Sequence, residues 1–405
     1  MSISLIQSPQ YITPSKNDII FQFQSSTSSV VYYNLTLKEA VTGNVVNSLK
    51  CYTTPDYNNG SFVNLSKILS NAVTSDIDID GDIVKEKTLP IFQYKVDILE
   101  RLSGTSSYVS GASFSSTTYS VINGGLNVIE YRDYDYTDYT VGLTNSVSFL
   151  TDKPDNTGFI NEYSREQLYF LKEGLTSSIS LIVEQFNSSN VGDTYTYSIS
   201  GTSSNHLIRL DVSPSTLKSQ FNINLNEGDY YTIHLEYNNV RVSEKRFYRY
   251  KKLDCLVEPV NLMWSNRYGG VDSYQFINPQ QTINVKRDLI NKNNMRFKNG
   301  VYSNMTGDVF NRSEDIVNVE TTGSYLVTTR GLKDSESRWL KGLLSSDDVY
   351  VEVRLGGESV LVPVVIKENS YVVKRQRWNR QDIVYAQFSF SFSEDYIPNI
   401  DQFKV

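Results

Sequence analysis

Apolar and polar residues alternate over short stretches along the whole length of this chain. Clear examples are the runs at 19–23, 92–98, 231–237 and 386–392, where every second residue is apolar. A period of two places neighbouring side chains on opposite faces of a strand, so one face is buried and the other is in water. The pattern predicts an all-β, mainly antiparallel protein.

Turn residues between these runs suggest three segments. The first, residues 1–128, has one predicted helix near Leu65–Ala72 and five predicted strands, near 19–24, 30–37, 44–52, 90–100 and 113–122. The second, residues 129–258, has a linker and five predicted strands, near 178–186, 194–200, 206–212, 230–238 and 245–250. This spacing is typical of immunoglobulin- or fibronectin-like β-sandwiches. The Ser164 to Gln167 capping-box spacing also predicts a helical turn before Leu168–Leu171.

The third segment, residues 259–405, is expected to be a β-rich C-terminal domain with one helix. That helix is predicted near 335–344, with Asp334 as N-cap and Trp339 on its apolar face. Four strands are predicted around it, near 348–354, 359–366, 370–376 and 383–392. Pro363 predicts a bulge or an edge in the second of these strands.

Composition narrows the functional classes. The 405 residues include 29 Tyr but only two His and two Cys, and the net charge is −7. Tyrosine-rich surfaces suit protein contacts, whereas the negative charge argues against nucleic-acid binding as the main role. Two cysteines about 200 residues apart do not make a disulfide framework. The start of the chain has no basic segment, and no run reaches the ~20 apolar residues of a membrane span. We therefore expect synthesis in a cytoplasm without a signal peptide, or export by a route that needs no signal, and no membrane partner.

Motifs for chemistry are sparse. The chain contains no Gly-x-Ser-x-Gly, His-Glu-x-x-His or Cys-x-x-Cys sequence. The run Asp76–Asp82 begins like a calcium loop, but Lys87 stands where the bidentate Glu belongs, which favours a solvated acidic turn and leaves cation binding open. His206 and His234 have no second ligand nearby in sequence. We expect no enzyme, and assign no catalytic, cofactor-binding or metal residue.

Two stretches are candidate interfaces. The segment 131–139 alternates aromatic and acidic residues without an aliphatic anchor, so its rings are expected to dock on a neighbouring subunit; a solvated hinge is the alternative. A basic cluster near 246–252 is interleaved with aromatics and would offer the acids a partner surface or, as an alternative, grip nucleic acid. The candidate interface residues are Tyr131, Asp133, Tyr134, Asp135, Tyr136, Asp138, Tyr139, Arg246, Arg249, Lys251 and Lys252.

Three stretches also suggest a family: 5–9 (LIQSP), 262–276 (LMWSNRYGGVDSYQF) and 336–350 (ESRWLKGLLSSDDVY). Taken together they resemble a family of virion structural proteins in phages of Bacteroidetes hosts, including crAss-like phages. The resemblance implies a subunit of a tail ring or hub near the portal, located in the virion tail. Its implied partners are other copies in a cyclic homo-oligomer and other tail or portal-vertex proteins, with nucleic acid present only as a genome passing through the ring.

Two other functions remain open. A tail fibre or adhesin module would bind a receptor or glycan through exposed Tyr and Trp, although the repeats or stalk expected of a fibre are not visible. A tail-associated hydrolase is the third alternative, because the separation of paired carboxylates cannot be read from sequence.

Overall fold

The computed structural model describes residues 2–54, 59–104, 107–142, 146–155, 159–173, 178–199, 206–254, 257–306, 309–368, 370–373, 385–393 and 403. Strands form most of this part of the chain, and none of its helices exceeds eight residues. The prediction of a mainly antiparallel all-β fold is confirmed. No described helix is long and apolar enough to cross a bilayer.

The first 122 residues supply ten strands and one helical turn. These are β1 (Ile3–Gln7), β2 (Ile12–Pro14), β3 (Ile20–Ser25), β4 (Val30–Glu39), β5 (Val45–Tyr52), β6 (Gly60–Asn64), α1 (Ser66–Leu69), β7 (Val84–Lys87), β8 (Ile91–Leu102), β9 (Val109–Ser115) and β10 (Tyr119–Ile122). One sheet has the order β1-β3-β6, and the other has the order β2-β10-β8-β4-β5 with β9 also on β8. Their apolar faces share one core, which makes the first β-sandwich.

The second β-sandwich follows. Its elements are α2 (Val128–Arg132), β11 (Thr140–Val141), β12 (Phe159–Ile160), β13 (Gln167–Lys172), β14 (Ile179–Phe186), β15 (Gly192–Ile199), β16 (His206–Asp211), α3 (Pro214–Phe221), β17 (Tyr230–Tyr237), β18 (Val240–Arg241) and β19 (Arg246–Tyr250). The sheets have the orders β11-β13-β16-β7 and β12-β19-β17-β14-β15, with β18 on β17.

The predicted helical turn before Leu168–Leu171 is wrong. Leu168–Leu171, the residues that were to follow the turn, belong to β13, all six residues of which are buried. Leu168 and Phe170 face the core of the second sandwich, whereas Tyr169 and Leu171 face a different apolar cluster. Burial on both faces removes the alternation expected of a half-exposed strand, and an apolar run of this kind is ambiguous between helix and strand.

β7 is a strand from the first segment of the chain that belongs to a sheet of the second sandwich. It lies in the sequence of the first segment but pairs antiparallel with β16 of the second sandwich, and Ile83 beside it enters that core. The chain therefore leaves the first sandwich near Thr74, adds an edge strand to the second, and returns as β8. The predicted boundary near residue 128 therefore divides the two sandwiches except for β7, which precedes the boundary but belongs to the second sandwich.

The C-terminal domain is a closed six-stranded barrel. Its elements are β20 (Pro259–Ser265), β21 (Val271–Asn291), β22 (Arg296–Lys298), β23 (Val301–Ser303), β24 (Met305–Thr306), β25 (Val309–Phe310), β26 (Glu314–Thr328), α4 (Asp334–Trp339), α5 (Lys341–Ser345), β27 (Val349–Leu355), β28 (Glu358–Ile366) and β29 (Gln387–Phe392). The barrel order is β20-β21-β26-β29-β28-β27. α4 and α5 connect β26 to β27, which are not neighbours in this order, and the buried Trp339, Leu340 and Leu343 join the barrel core.

Some predictions in this domain need correction. The helix is two short helices that meet at Leu340, and its N-cap is Lys333, whose backbone N–H donates to the Glu336 carboxylate at 2.6 Å. Pro363 marks no bulge, but it is paired on one side only, as at an edge: β28 pairs with β27 up to Pro363 and with β29 only from Val364 onwards. Residues 370–373 form no strand. The rest of that predicted strand, Trp378 and Cys255 lie outside the described residues.

The three domains meet at one apolar cluster. The first sandwich contributes Ile12 and Ile122, the second Tyr169 and Leu171, and the barrel Met263. A buried ion pair reinforces the junction of the second sandwich with the barrel, because Arg165 donates from Nε to Glu352 Oε2 at 2.9 Å, and the Glu352 side chain is fully buried. This shared core holds the domains as one body.

Candidate assembly interface

A two-stranded ribbon leaves the barrel and is here called the hairpin arm (residues 282–322). It extends the antiparallel pairing of β21 and β26 as far as Asn291 and Glu314. At about 3.3 Å per residue, the run from Thr282 to Asn291 alone extends roughly 30 Å. Almost all side chains of the arm are exposed. The arm therefore projects into solvent with no cover from the described body of the chain.

The ribbon of the arm is amphipathic. The register places five aliphatic residues on one face: Ile283, Val285, Leu289, Ile316 and Val319. Their exposed fractions run from 41% to 56%. The other face carries polar residues such as Lys286, Asp288 and Glu320. An isolated two-stranded ribbon is at best marginally stable in water, so an uncovered apolar face of this kind marks an interaction surface.

The far end of the arm is here called the arm tip (residues 292–312). It folds back into two small hairpins, β22–β23 and β24–β25. Its exposed apolar side chains are Met295, Phe297, Val301, Tyr302, Met305, Val309 and Phe310. Four Lys or Arg and one Asp give the arm tip a net charge of +3, which leaves −10 on the rest of the chain. The tip is thus both basic and apolar.

The predicted contact segment 131–139 packs largely within the chain. Tyr134 is buried between Tyr131 and Tyr139, with ring centroids 6.5 and 5.8 Å apart, and Tyr139 continues the stack to Tyr268 of the barrel at 5.6 Å. Burial and the neighbouring ring hydroxyls raise the pKa of Tyr134. The expectation that these rings find little to pack against within the chain is wrong, because stacked tyrosines cover one another without an aliphatic anchor.

The acids of the same segment face solvent. Asp133, Asp135 and Asp138 are exposed, beside the apolar side chains of Val128 and Ile129, which are 86% and 69% exposed. We call residues 128–139 the acidic patch; four acids and one Arg give it a net charge of −3. Its role as an interface stays a prediction.

The basic cluster near 246–252 has one buried member and three exposed members. Arg246 is buried and donates from Nη1 to the Lys153 carbonyl at 2.7 Å, so it is unsuited to a surface contact. Arg249, Lys251 and Lys252 are exposed on the second sandwich. The Arg249 guanidinium lies 5.6 Å from the Phe247 ring centroid and the Lys251 ammonium 5.5 Å from that of Phe159. These three remain candidate contact residues.

The acidic turn Asp76–Asp82 is neutralised internally. Asp78 bonds to Lys85, Lys87 and Arg209, and Asp80 accepts from Arg209 Nη2 at 2.7 Å. The Lys87 and Arg209 side chains are fully buried. Three cations already occupy the carboxylates that a calcium ion would need. Across the described residues, no group of three His, Cys, Asp or Glu side chains could hold a metal ion.

A second polar cluster lies under the three-domain junction. Trp339 Nε1 donates to Asp272 Oδ2 at 2.6 Å, and Asn266 Nδ2 donates to Asp272 Oδ1 at 2.9 Å. Asp152 lies beside Asp272, and burial together with this neighbouring carboxylate raises the pKa of Asp152 to about 7, although Arg267 Nε is only 3.0 Å from its Oδ2. These hydrogen bonds join the end of β20 to β21 and α4, so the cluster stabilises the packing of the barrel.

The arm is the functional feature that sequence reasoning missed. No strand was predicted between 277 and 330, although Ile283 and Val285 alternate with polar residues and Val317 and Val319 do so on the return strand. Turn residues and charges interrupt both runs. Because neither strand is buried on one face, neither has the apolar content that marks a core strand in a sequence.

Comparison with known proteins gives no family. No family model matches the chain, and no curated protein matches it. Among solved structures it is similar to a marsupial T cell receptor, at 8% identity over 81% of this chain and 96% of that one, with a TM-score of 0.21. It is also similar to CBD12 from CALX1.2, at 7% identity over 59% and 83%, with a TM-score of 0.17. A third is the complex of Dpr2 Ig1-Ig2 with DIP-Theta Ig1-Ig3, at 7% identity over 63% and 100%, with a TM-score of 0.16. Likenesses this distant carry no argument about function.

Proposed function

We propose that this chain is a structural virion protein of a tailed phage, a subunit of a ring or hub in the tail near the portal. One observation carries the proposal: the uncovered apolar face of the hairpin arm. Covering its five half-exposed aliphatic side chains would contribute roughly 4–7 kcal/mol, which no monomer gains. The resemblance of the three sequence stretches to phage ring components supplies the biological setting, and a non-enzymatic role agrees with the sparse chemical motifs.

The geometry of the arm favours assembly over a catalytic role. A rigid three-domain body carries one long projection, so each copy can reach a neighbour at a fixed distance. A contact between an arm and a different surface of the next copy is head-to-tail, and such contacts close into rings when the rotation per copy permits. The partners would be copies of this chain and adjoining tail or portal-vertex proteins.

The test is the mass of the full chain in solution. Mass photometry of the purified protein should show a closed homo-oligomer, and the triple substitution Ile283→Thr, Val285→Thr and Val319→Thr should release monomer. The matched control replaces three exposed valines on the body, Val41, Val191 and Val240, by Thr. A parent protein that stays monomeric at high concentration and occurs as scattered single copies in the particle refutes the proposal.

A second candidate, a receptor- or glycan-binding module, has one observation in its favour. Phe186, Tyr230 and Phe247 form a row across the outer face of the second sandwich, each ring centroid 4.8 Å from the next. The rings stack on one another and so offer mainly their edges to a sugar, which makes this the weaker candidate. Glycan-array binding that is lost on Tyr230→Ala would favour it.

A further inference from the structure

The arm tip and the acidic patch are complementary in charge. The arm tip carries +3 and the acidic patch −3. On the tip, Arg296 and Arg312 are exposed, and on the patch Asp135 and Asp138 are exposed. In the described part of the chain, neither of these two aspartates makes an ion pair. Opposite charges of this kind steer association and fix its register.

The two surfaces are also complementary in apolar character. Phe297 and Tyr302 on the tip are 64% and 66% exposed, and Val128 on the patch is 86% exposed. Protein–protein interfaces typically combine exposed aromatic or aliphatic side chains with charged residues around them, and both surfaces have this combination.

The two surfaces do not meet within one chain. The arm tip lies at the far end of the ribbon that leaves the barrel, and most of its described side chains are exposed, as are Asp133, Asp135 and Asp138 of the patch; the fourth patch acid, Glu130, is half-buried and paired with Arg267. The patch is fixed to the body by the stack Tyr134–Tyr139–Tyr268, so it cannot swing out to the tip. The complement of each surface must therefore come from another molecule.

We infer that the arm tip of one copy docks on the acidic patch of a second copy of this chain. The inference rests on the proposed assembly function and names its contact. The tip and the patch are different surfaces, so the contact is head-to-tail, and each copy has one free tip and one free patch until the ring closes. The basic residues at 249–252 are then not the partner of the patch.

Charge reversal with rescue tests the contact. Arg296→Glu with Arg312→Glu, and separately Asp135→Lys with Asp138→Lys, should each weaken assembly by about tenfold or more at low salt. The protein that carries all four changes should recover most of the parent's affinity. All four side chains are exposed, so the fold should be retained, which circular dichroism checks. Lys67→Glu with Lys218→Glu, on two exposed lysines of the first and second sandwiches, is the matched control and should leave assembly unchanged.

Cross-linking gives a second measurement. Phe297→Cys in one preparation and Ile129→Cys in another, mixed and treated with a short bismaleimide, should yield covalent dimers that neither preparation gives alone. A contact elsewhere on the body would leave this pair unlinked, and that result would overturn the inference even if assembly itself proceeds.

The outcomes separate the two proposals. If the tip reversal weakens assembly but the patch reversal does not, the docking surface is wrong while the assembly function stands. If the parent protein never assembles, both fail. If the parent's arm tip binds duplex DNA or anionic phosphatidylglycerol vesicles, and the patch reversal leaves assembly intact, the occupant belongs to another class and the inference is overturned.

Discussion

Trp339 offers the sharpest test of how the barrel is held together. Its side chain is only 3% exposed and stacks against Trp264, with ring centroids 5.2 Å apart. Its Nε1 donates to the Asp272 carboxylate, and the Lys153 ammonium lies 5.2 Å from its ring centroid. Truncating a buried Trp to Ala costs about 3–5 kcal/mol, and a hydrogen bond to a charged group contributes about 1.5–3 kcal/mol. We expect Trp339→Ala to approach the whole stability of a domain.

A pair of milder variants separates packing from hydrogen bonding. Trp264 is also fully buried, but its Nε1 has no hydrogen-bond partner among the described residues. Trp264→Phe therefore removes packing alone, whereas Trp339→Phe removes packing and leaves Asp272 short of one donor. We expect Trp339→Phe to cost about 1–3 kcal/mol more than Trp264→Phe.

Urea unfolding followed by circular dichroism measures both costs in the same chain. Equal free energies of unfolding for the two Phe variants would show that the Asp272 bond contributes nothing. A Trp339→Ala protein within about 0.5 kcal/mol of the parent, the range of a surface change, would show that Trp339 is not packed in the barrel core.

Three further results follow from the buried charges. The pKa of Asp152, about 7, is raised above its ordinary value, so its contribution to stability is full below about pH 4 and is lost as the pH rises to 7. Asp152→Asn should therefore be more stable than the parent at pH 8 by up to about 4 kcal/mol, and equal gains at pH 5 and pH 8 in urea titrations would contradict this. Arg209→Met removes one of the three cations at Asp78, which keeps Lys85 and Lys87, so it should cost about 1–3 kcal/mol, and adding calcium to the parent should leave the melting temperature unchanged in calorimetry. Glu352→Gln leaves the Arg165 charge without its buried partner, so it should cost about 3 kcal/mol and expose the junction of the second sandwich and barrel to hydrogen exchange before the rest.

The parts of the fold that sequence predicted are those whose two faces differ. Strands such as Ile20–Ser25 and Ile91–Leu102 alternate because one side packs in a sandwich core and the other is more exposed, and the sequence pattern predicts both within a residue or two. The strand Gln167–Lys172 was not, because it is buried on both faces. Pairing between distant segments was also invisible: nothing in Val84–Lys87 indicates that its partner is His206–Asp211.

The candidate interface was predicted in part. The segment 131–139 was singled out for its tyrosines, yet the rings stack internally and the exposed chemistry is the acids with Val128 and Ile129. Arg246 was grouped with its neighbours by sequence, but the inward-facing position on its strand buries it. The strands of the hairpin arm could not be predicted because neither face of the ribbon is buried within the chain, so they lack the apolar content of a core strand.

The passage of β7 from one sandwich to the other imposes a waiting period during synthesis. Its partner β16 emerges about 120 residues later, from Lys87 to His206, which takes roughly 6–24 s at about 5–20 residues per second on the ribosome. β7 is an unpaired strand throughout that time, and once β10 has been made it lies beside a complete first sandwich. Its lysines and the acidic run Asp76–Asp82 discourage wrong edge-to-edge pairing. When Arg209 arrives with β16, it neutralises those acids and completes the sheet in the same step. The second sandwich cannot mature before its N-terminal neighbour has been made, so a fragment beginning at residue 129 should remain incompletely folded.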